Sequence, residues 1–195
     1  MNVEAFRQSI VHRRGWTLIE LLTTVAILVV SSYVLIPYAT SGDSSSGQSA
    51  TRMVVTEILA AQMDAVATQG YRRIHFFEDG SGWCVEKLDS IQLADSFDFA
   101  TANFADDIIE SQGQGQQSII RFTEDDRFSS ITISKIQFDG EYLDVIFDPT
   151  GGIVASDGSP STGGSVELWS GKFHWKIQMA PLTGKVTVVD FGGGA

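Results

Sequence analysis

Groups able to do chemistry are few in this sequence. The histidines are His12, His75 and His174, and the one cysteine is Cys84. His75 stands beside Phe76 and Phe77, and His174 lies between Phe173 and Trp175. For both, a strand histidine with a hydrogen-bond partner is a simpler reading than a ligand. No Cys/His spacing suits zinc. No Gly-x-Ser-x-Gly, Walker or dinucleotide fingerprint occurs. A single thiol makes no internal disulfide, so Cys84 reads as a small buried side chain beside Trp83, with a nucleophile or an intermolecular bridge as alternatives. Carboxylates gather at Asp106-Asp107, at Glu124-Asp125-Asp126, and at Asp148 with Asp157. Such oxygens could hold calcium, but no stretch matches a defined calcium loop, and solvated surface accounts for them. Spacing alone supports no pair of catalytic carboxylates. The expectation is a non-enzyme with no catalytic residue, no resident metal and no cofactor, calcium being the one ion these groups would suit.

One carboxylate is different. Glu20 is the only charge between Leu18 and Ile36. One reading is that Glu20, near the cytoplasmic end, reaches the interface and does nothing; the sharper reading needs a positive partner, and no Lys or Arg within the run supplies one. Cleavage after Gly15 would supply it, as a new amine at Trp16 lies one helical turn from Glu20, positions i and i+4 sharing a face. Arg13 and Arg14 precede the run, and no Lys or Arg follows it until Arg52. The run is long enough for a bilayer core, which takes about 20 helical residues. The positive-inside rule keeps the N-terminus cytoplasmic and exports the remainder. Thr23, Thr24, Ser31 and Ser32 fit such a helix by bonding back to its carbonyls. Pro37 lacks a backbone donor and is expected to kink or end the helix. A plain signal anchor would need neither Gly15 nor Glu20. An ordinary secretory signal has a shorter apolar core and a small-residue cleavage site, for which residues 39–41 would serve.

The elements that carry these groups follow from composition. The 195 residues leave room for one modest domain after the helix, and the formal charge is −11. So acidic a chain argues against general nucleic-acid binding, which depends on Lys and Arg at phosphates. Arg72-Arg73 is a local exception, but adjacent strand residues point to opposite faces. Residues 40–50, small and polar with two glycines, read as a flexible linker. Over 51–68 the apolar residues Val55, Ile58, Leu59, Met63 and Val66 fall on one helix face, which is expected to be core. From Tyr71 the pattern is β, with a hairpin turn at Asp79-Gly80 and a second at Asp139-Gly140. Residues 93–118 form a long surface excursion with a short helix at 105–110. Strands follow at 130–138, 142–147, 153–155, 165–170, 172–179 and 185–191. Phe97, Phe99, Phe104, Trp169, Phe173 and Trp175 are expected to build core before they line any groove.

The N-terminal residues resemble the class III signal of type IV pilins and pseudopilins. Arg13-Arg14, Gly15, an apolar helix opening at Trp16 and Glu20 at its fifth position make up that pattern. Trp16 stands where the family usually has Phe, and Pro37 falls where such helices often carry proline. The segment 145–152 and Gly184-Lys185-Val186-Thr187-Val188 look like the tail of minor pilins of the type II secretion H and FimT kind. Gln62-Met63-Asp64-Ala65, the Ser/Gly linker and Cys84 are similar to the C-type minor pilin of mannose-sensitive haemagglutinin pili.

The resemblance implies that a prepilin peptidase cuts after Gly15 and methylates the amine of Trp16. It implies that Glu20 attracts the first-residue amine of a neighbouring subunit. The expected fold is α+β: a long transmembrane and assembly helix over 16–39 behind a leader at 1–15, a linker at 40–50, then a pilin head at 51–195 with a second amphipathic helix and an antiparallel sheet. The expected protein is a minor pilin or pseudopilin, single-pass in the inner membrane with its head in the periplasm, then assembled into a type IV pilus or type II secretion pseudopilus. Its partners would be other pilins through the N-terminal helix, the peptidase, the inner-membrane assembly platform and the lipid bilayer, not nucleic acid. The alternative is a membrane-anchored periplasmic binding module, for adhesion, exoproteins or DNA uptake, that never enters a filament.

Overall fold

The computed structural model describes residues 17–40, 42–106, 117–140 and 143–193, with backbone only for 33–40 and Ile91. The chain divides into two compact units, Met1–Ser41 and Gly42–Ala195.

In the first unit, helix α1 spans Leu18–Thr40. It opens with a capping arrangement. The Glu20 amide approaches the Thr17 hydroxyl oxygen at 3.3 Å, and the Thr17 amide faces Glu20 Oε2 at 3.5 Å. This is the Thr-x-x-Glu capping box, which satisfies amides that the first turn leaves without helical partners. The hydroxyls of Thr23, Thr24 and Ser32 donate to the carbonyls of Glu20, Leu21 and Leu28 at 2.8–2.9 Å, as their place in a helix requires. The backbone stays helical past Pro37 to Thr40.

No helix among the described residues is long and apolar enough to cross a membrane. Glu20, Thr23, Thr24, Ser31 and Ser32 interrupt the apolar residues of α1, whereas a span requires about 20 predominantly apolar positions. This corrects the transmembrane helix expected over 16–39, and with it the single-pass inner-membrane location.

The second unit begins earlier than its sequence implies. Helix α2 spans Gly42–Thr68, so most of the expected linker is helical. Tertiary packing overrides the poor propensity of its Ser and Gly residues. Ala50 is fully buried, and Gly47 sits so close to Trp175 that an added Cβ would lie 2.1 Å from the ring.

Among the described residues nine strands make two antiparallel sheets rather than the single one expected. The first is ordered β3-β2-β1-β5-β6, from Ile119–Arg121, Gly82–Leu88, Tyr71–Phe76, Asp144–Phe147 and Ile153–Val154. The second is ordered β4-β7-β8-β9, from Ile131–Phe138, Gly164–Ser170, Phe173–Met179 and Val186–Gly193. The hairpin β1–β2 matches expectation, with Gly80 at the positive φ of 70° that its turn demands, and β7 and β8 pair as a further antiparallel hairpin. Strands β4 and β5, expected to pair across Asp139-Gly140, go to different sheets instead, with β4 on β7 and β5 on β1.

Helix α2 packs against both sheets. Its core stripe is Ala50, Val54, Ile58, Ala61 and Ala65, which meets Phe76, Trp83 and Phe147 of the first sheet and Ile133, Leu168 and Ile177 of the second. The expected stripe is rotated. Only Ile58 of it is fully buried, while Leu59, Met63 and Val66 are exposed by 43, 73 and 42%. Two sheets converging on one helix leave space for alanine where a single sheet would take larger side chains. Every buried apolar cluster lies between Ala50 and Met179, so the second unit carries its own core.

Candidate functional site

Of the residues singled out by sequence, Gly15 and Trp16 lie outside the described residues, as does most of the expected helix at 105–110. Glu20 is exposed in the first turn of α1, its carboxylate beside the Thr17 amide. Pro37 is within the helical backbone of α1. The helix around Glu20 turns most of its apolar side chains outward. Leu18, Ile19, Leu21, Leu22, Val25, Ile27, Leu28, Val29 and Val30 are each at least 50% exposed. Nine consecutive or near-consecutive positions cannot share one face of a helix with 3.6 residues per turn. Glu20, Thr24 and Ser31 fall on one narrow polar strip, and apolar side chains cover most of the remaining surface.

The second unit has two clusters that bring polar groups together, both on the sheet faces turned away from α2. On the first sheet, Arg73 is almost wholly buried. Its guanidinium donates to Glu86 Oε2 at 3.2 Å and to the carbonyls of Gln92, Leu93 and Asp95 at 3.3, 3.3 and 2.8 Å. It thereby pins residues 92–95 to the sheet. Burial raises the Glu86 carboxyl above its ordinary value, against the opposing pull of Arg73. His75 Nδ1 lies 2.6 Å from Asp144 Oδ1, and Phe97 stacks on the imidazole at 3.8 Å between centroids. Cys84 is directly opposite His75 on the neighbouring strand.

Cys, His and Asp therefore occupy three adjacent strands, the residue set of a thiol hydrolase. The environment denies that chemistry. Cys84 is fully buried, and burial first, then the charges of Glu86 and Asp144, push its thiol up to about 12. A thiol that keeps its proton at neutral pH is not a nucleophile. Phe97, Phe99 and Phe104 pack over this face as a small aromatic layer, which fixes residues 97–104 of the expected surface excursion on the sheet.

On the second sheet, Trp169, His174 and Phe191 form a continuous stack, with centroids 4.3 and 4.4 Å apart and planes within 5°. Glu167 pairs with Lys135 at 2.9 Å and faces His174 Nε2 at 3.4 Å. The rings spend their faces on one another, so only the outer face of Phe191 is open.

Arg72 and Arg73 do point to opposite faces. Arg72 is held by Asp64 and by Thr68 on α2 and is buried, so neither guanidinium is presented to solvent. The carboxylates at the calcium candidates are used locally. Asp148 accepts from the amides of Thr150 and Gly152, Asp157 from that of Ser159, and Asp125 from Arg127. Among the described residues no group of three His, Cys, Asp or Glu side chains is arranged to hold a metal.

Two open grooves flank α2. One, of about 640 Å³, is lined by Leu59, Met63, Val66, Ala67 and Leu182. The other, of about 610 Å³, lies beside β9 and is lined by Val55, Trp175 and Val188, with Arg52 and Asp190 among its polar residues. Sequence periodicity had assigned Leu59, Met63 and Val66 to the core, so it missed the first groove. No protein-family model, curated protein or solved structure matches this chain.

Proposed function

We propose that the chain is a structural subunit of a pilin-type filament, a minor pilin or pseudopilin cut after Gly15 and assembled through α1. The observation that carries this is the outward apolar surface of α1, from Leu18 to Val30. A helix with so wide an apolar surface is expected to be buried in its working state. Helices of like subunits, packed ridge into groove, provide that burial without any polar partner. The resemblance of residues 13–20 to a class III signal supports the same reading. So does the absence of an accessible reactive group at the Cys84–His75–Asp144 cluster.

Glu20 has two roles in this account. It closes the capping box of its own helix and offers a charge to the Trp16 amine of a neighbour. Glu20→Gln separates them, because glutamine serves equally in a capping box but carries no charge. Incorporation of the chain into filaments, read by immunogold electron microscopy in a host with the remaining assembly components, is the test. Leu28→Glu is expected to abolish incorporation, and Glu20→Gln to reduce it strongly. Normal incorporation of Leu28→Glu would overturn the role of α1. Normal incorporation of Glu20→Gln alone would remove the charge role and leave the cap.

A further inference from the structure

The two sheets have four edges, and three are closed. Strand β3 has three residues and β6 has two, and the amide of Ser161 donates to Ile153 across the latter. Strand β4 carries a bulge between Ser134 and Gln137, with Lys135 at a φ of 46°, and its Ile133 amide is taken by Gly80. Short edges, bulges and edge lysines are the usual devices against strand addition. Strand β9 has none of them along residues 186–190. It is eight residues long, and among the described residues nothing pairs with the side away from β8. Val188 and Phe191 are 43 and 55% exposed on it.

We infer that β9 is a docking edge for the β9 of a second copy, paired antiparallel about a two-fold axis through Val188. The inference goes beyond the filament reading and uses a surface independent of α1. Unpaired amides and carbonyls in a row are matched by another extended strand. Charge selects the copy. Between Lys185 and Gly193 the only charges are Lys185 and Asp190, so this edge is neutral in a chain of formal charge −11. Two acidic molecules meet there with the least repulsion.

The register follows from the faces. Pairing with β8 puts Val186, Val188 and Asp190 on the side of Trp175, Ile177 and Met179, which faces α2. Opposed residues in an antiparallel pair point the same way, so these three must pair among themselves. An axis at Asp190 would set two aspartates opposite each other, which is unfavourable. An axis at Val189 would pair no two apolar side chains on that face, each Val188 meeting an Asp190, and one at Thr187 would carry Phe191 past Lys185 to the loop residue Thr183 of the copy. An axis at Val188 opposes the two Val188 side chains at the mouths of the grooves beside Val55 and Trp175. It also sets Thr187 against Val189, Val186 against Asp190, and Lys185 against the open ring of Phe191, an arrangement suited to cation–π contact. Each four-stranded sheet then continues into its copy.

The test uses residues 42–195, which carry their own core and lack α1. Sedimentation equilibrium is expected to show a dimer, with Val188→Lys weakening it by about tenfold or more, because like charges directly opposite on paired strands repel. Val188→Cys supplies a second readout. Opposed Cα atoms about 4.5–5.5 Å apart lie within disulfide range, so this variant should cross-link rapidly in mild oxidant. Val186→Cys should not, as its two copies would be about 13 Å apart along the strand. Buried Cys84 does not compete. A monomeric fragment, a dimer indifferent to Val188→Lys, or equal cross-linking of the two cysteine variants would overturn the inference. None of these results bears on filament entry through α1.

Discussion

Two successive helices of similar length, α1 with 23 residues and α2 with 27, place their side chains in opposite ways. Helix α2 is poor in large apolar residues over its first turns yet buries Ala50, Val54, Ile58, Ala61 and Ala65 against two sheets. Helix α1 is rich in Leu, Ile and Val and exposes most of them. Apolar content therefore does not say which helix belongs to the core. The helix with the weaker signal is the one the fold is built on. The helix with the stronger signal leaves its apolar side chains uncovered.

The largest expected difference between them is in stability. Ile58→Ala removes a fully buried side chain of α2 and should destabilise the second unit by about 2–5 kcal/mol. Leu28→Ala on α1, where the side chain is 65% exposed, should shift the same urea midpoint by no more than about 0.5 kcal/mol. Comparable losses would break the contrast. Gly47→Ala comes next. Its new methyl would meet the Trp175 ring, and overpacking of this kind costs about 1–3 kcal/mol. An unchanged midpoint would mean that the N-terminal part of α2 is not docked as described. Thr17→Ala removes the N-cap of α1, worth about 1 kcal/mol of helix stability. Circular dichroism should register lower helix content in the first unit and an unaltered unfolding midpoint for the second.

The smallest effect is one of pH. Burial raises the Glu86 carboxyl in the folded head, so the folded state holds that proton more tightly than the unfolded chain. The resulting stabilisation is complete below the ordinary glutamate pKa, about 4.3. It is lost as pH rises through the raised folded value. Glu86→Gln should flatten that part of the stability–pH profile relative to the parent protein, as measured by urea titration across the acidic range. An identical profile would show that Arg73 offsets the burial completely.

Strand content was legible because period-two patterns and Gly turns mark strands locally. Strand β4 lies within a residue of its expected limits, and β7, β8 and β9 within a residue or two of theirs. The division into two sheets was not legible, since nothing local to Asp139-Gly140 says that β4 and β5 part company. The start of α2 was hidden for a related reason. Ser44, Ser45, Ser46 and Gly47 have linker composition, and only the approach of Trp175, over a hundred positions away, makes them helical. The rotation of the α2 stripe has the same origin, because Ala61 and Ala65 carry no hydrophobic signal that competes with Met63. For the site, Glu20 was visible as an anomaly, but its capping partner Thr17 was overlooked, although Thr-x-x-Glu before an apolar run is readable. The apolar run itself was read as a membrane span, and the hydroxyls and carboxylate within it are what that reading underweighted.

The central claim is that residues 16–40 are an assembly element exposed by cleavage at Gly15. N-terminal sequencing and intact mass of the mature protein test it most directly. The account predicts a chain beginning at Trp16 with one methyl group on its amine. An intact Met1, or a start near Gly42 that discards α1, would contradict it.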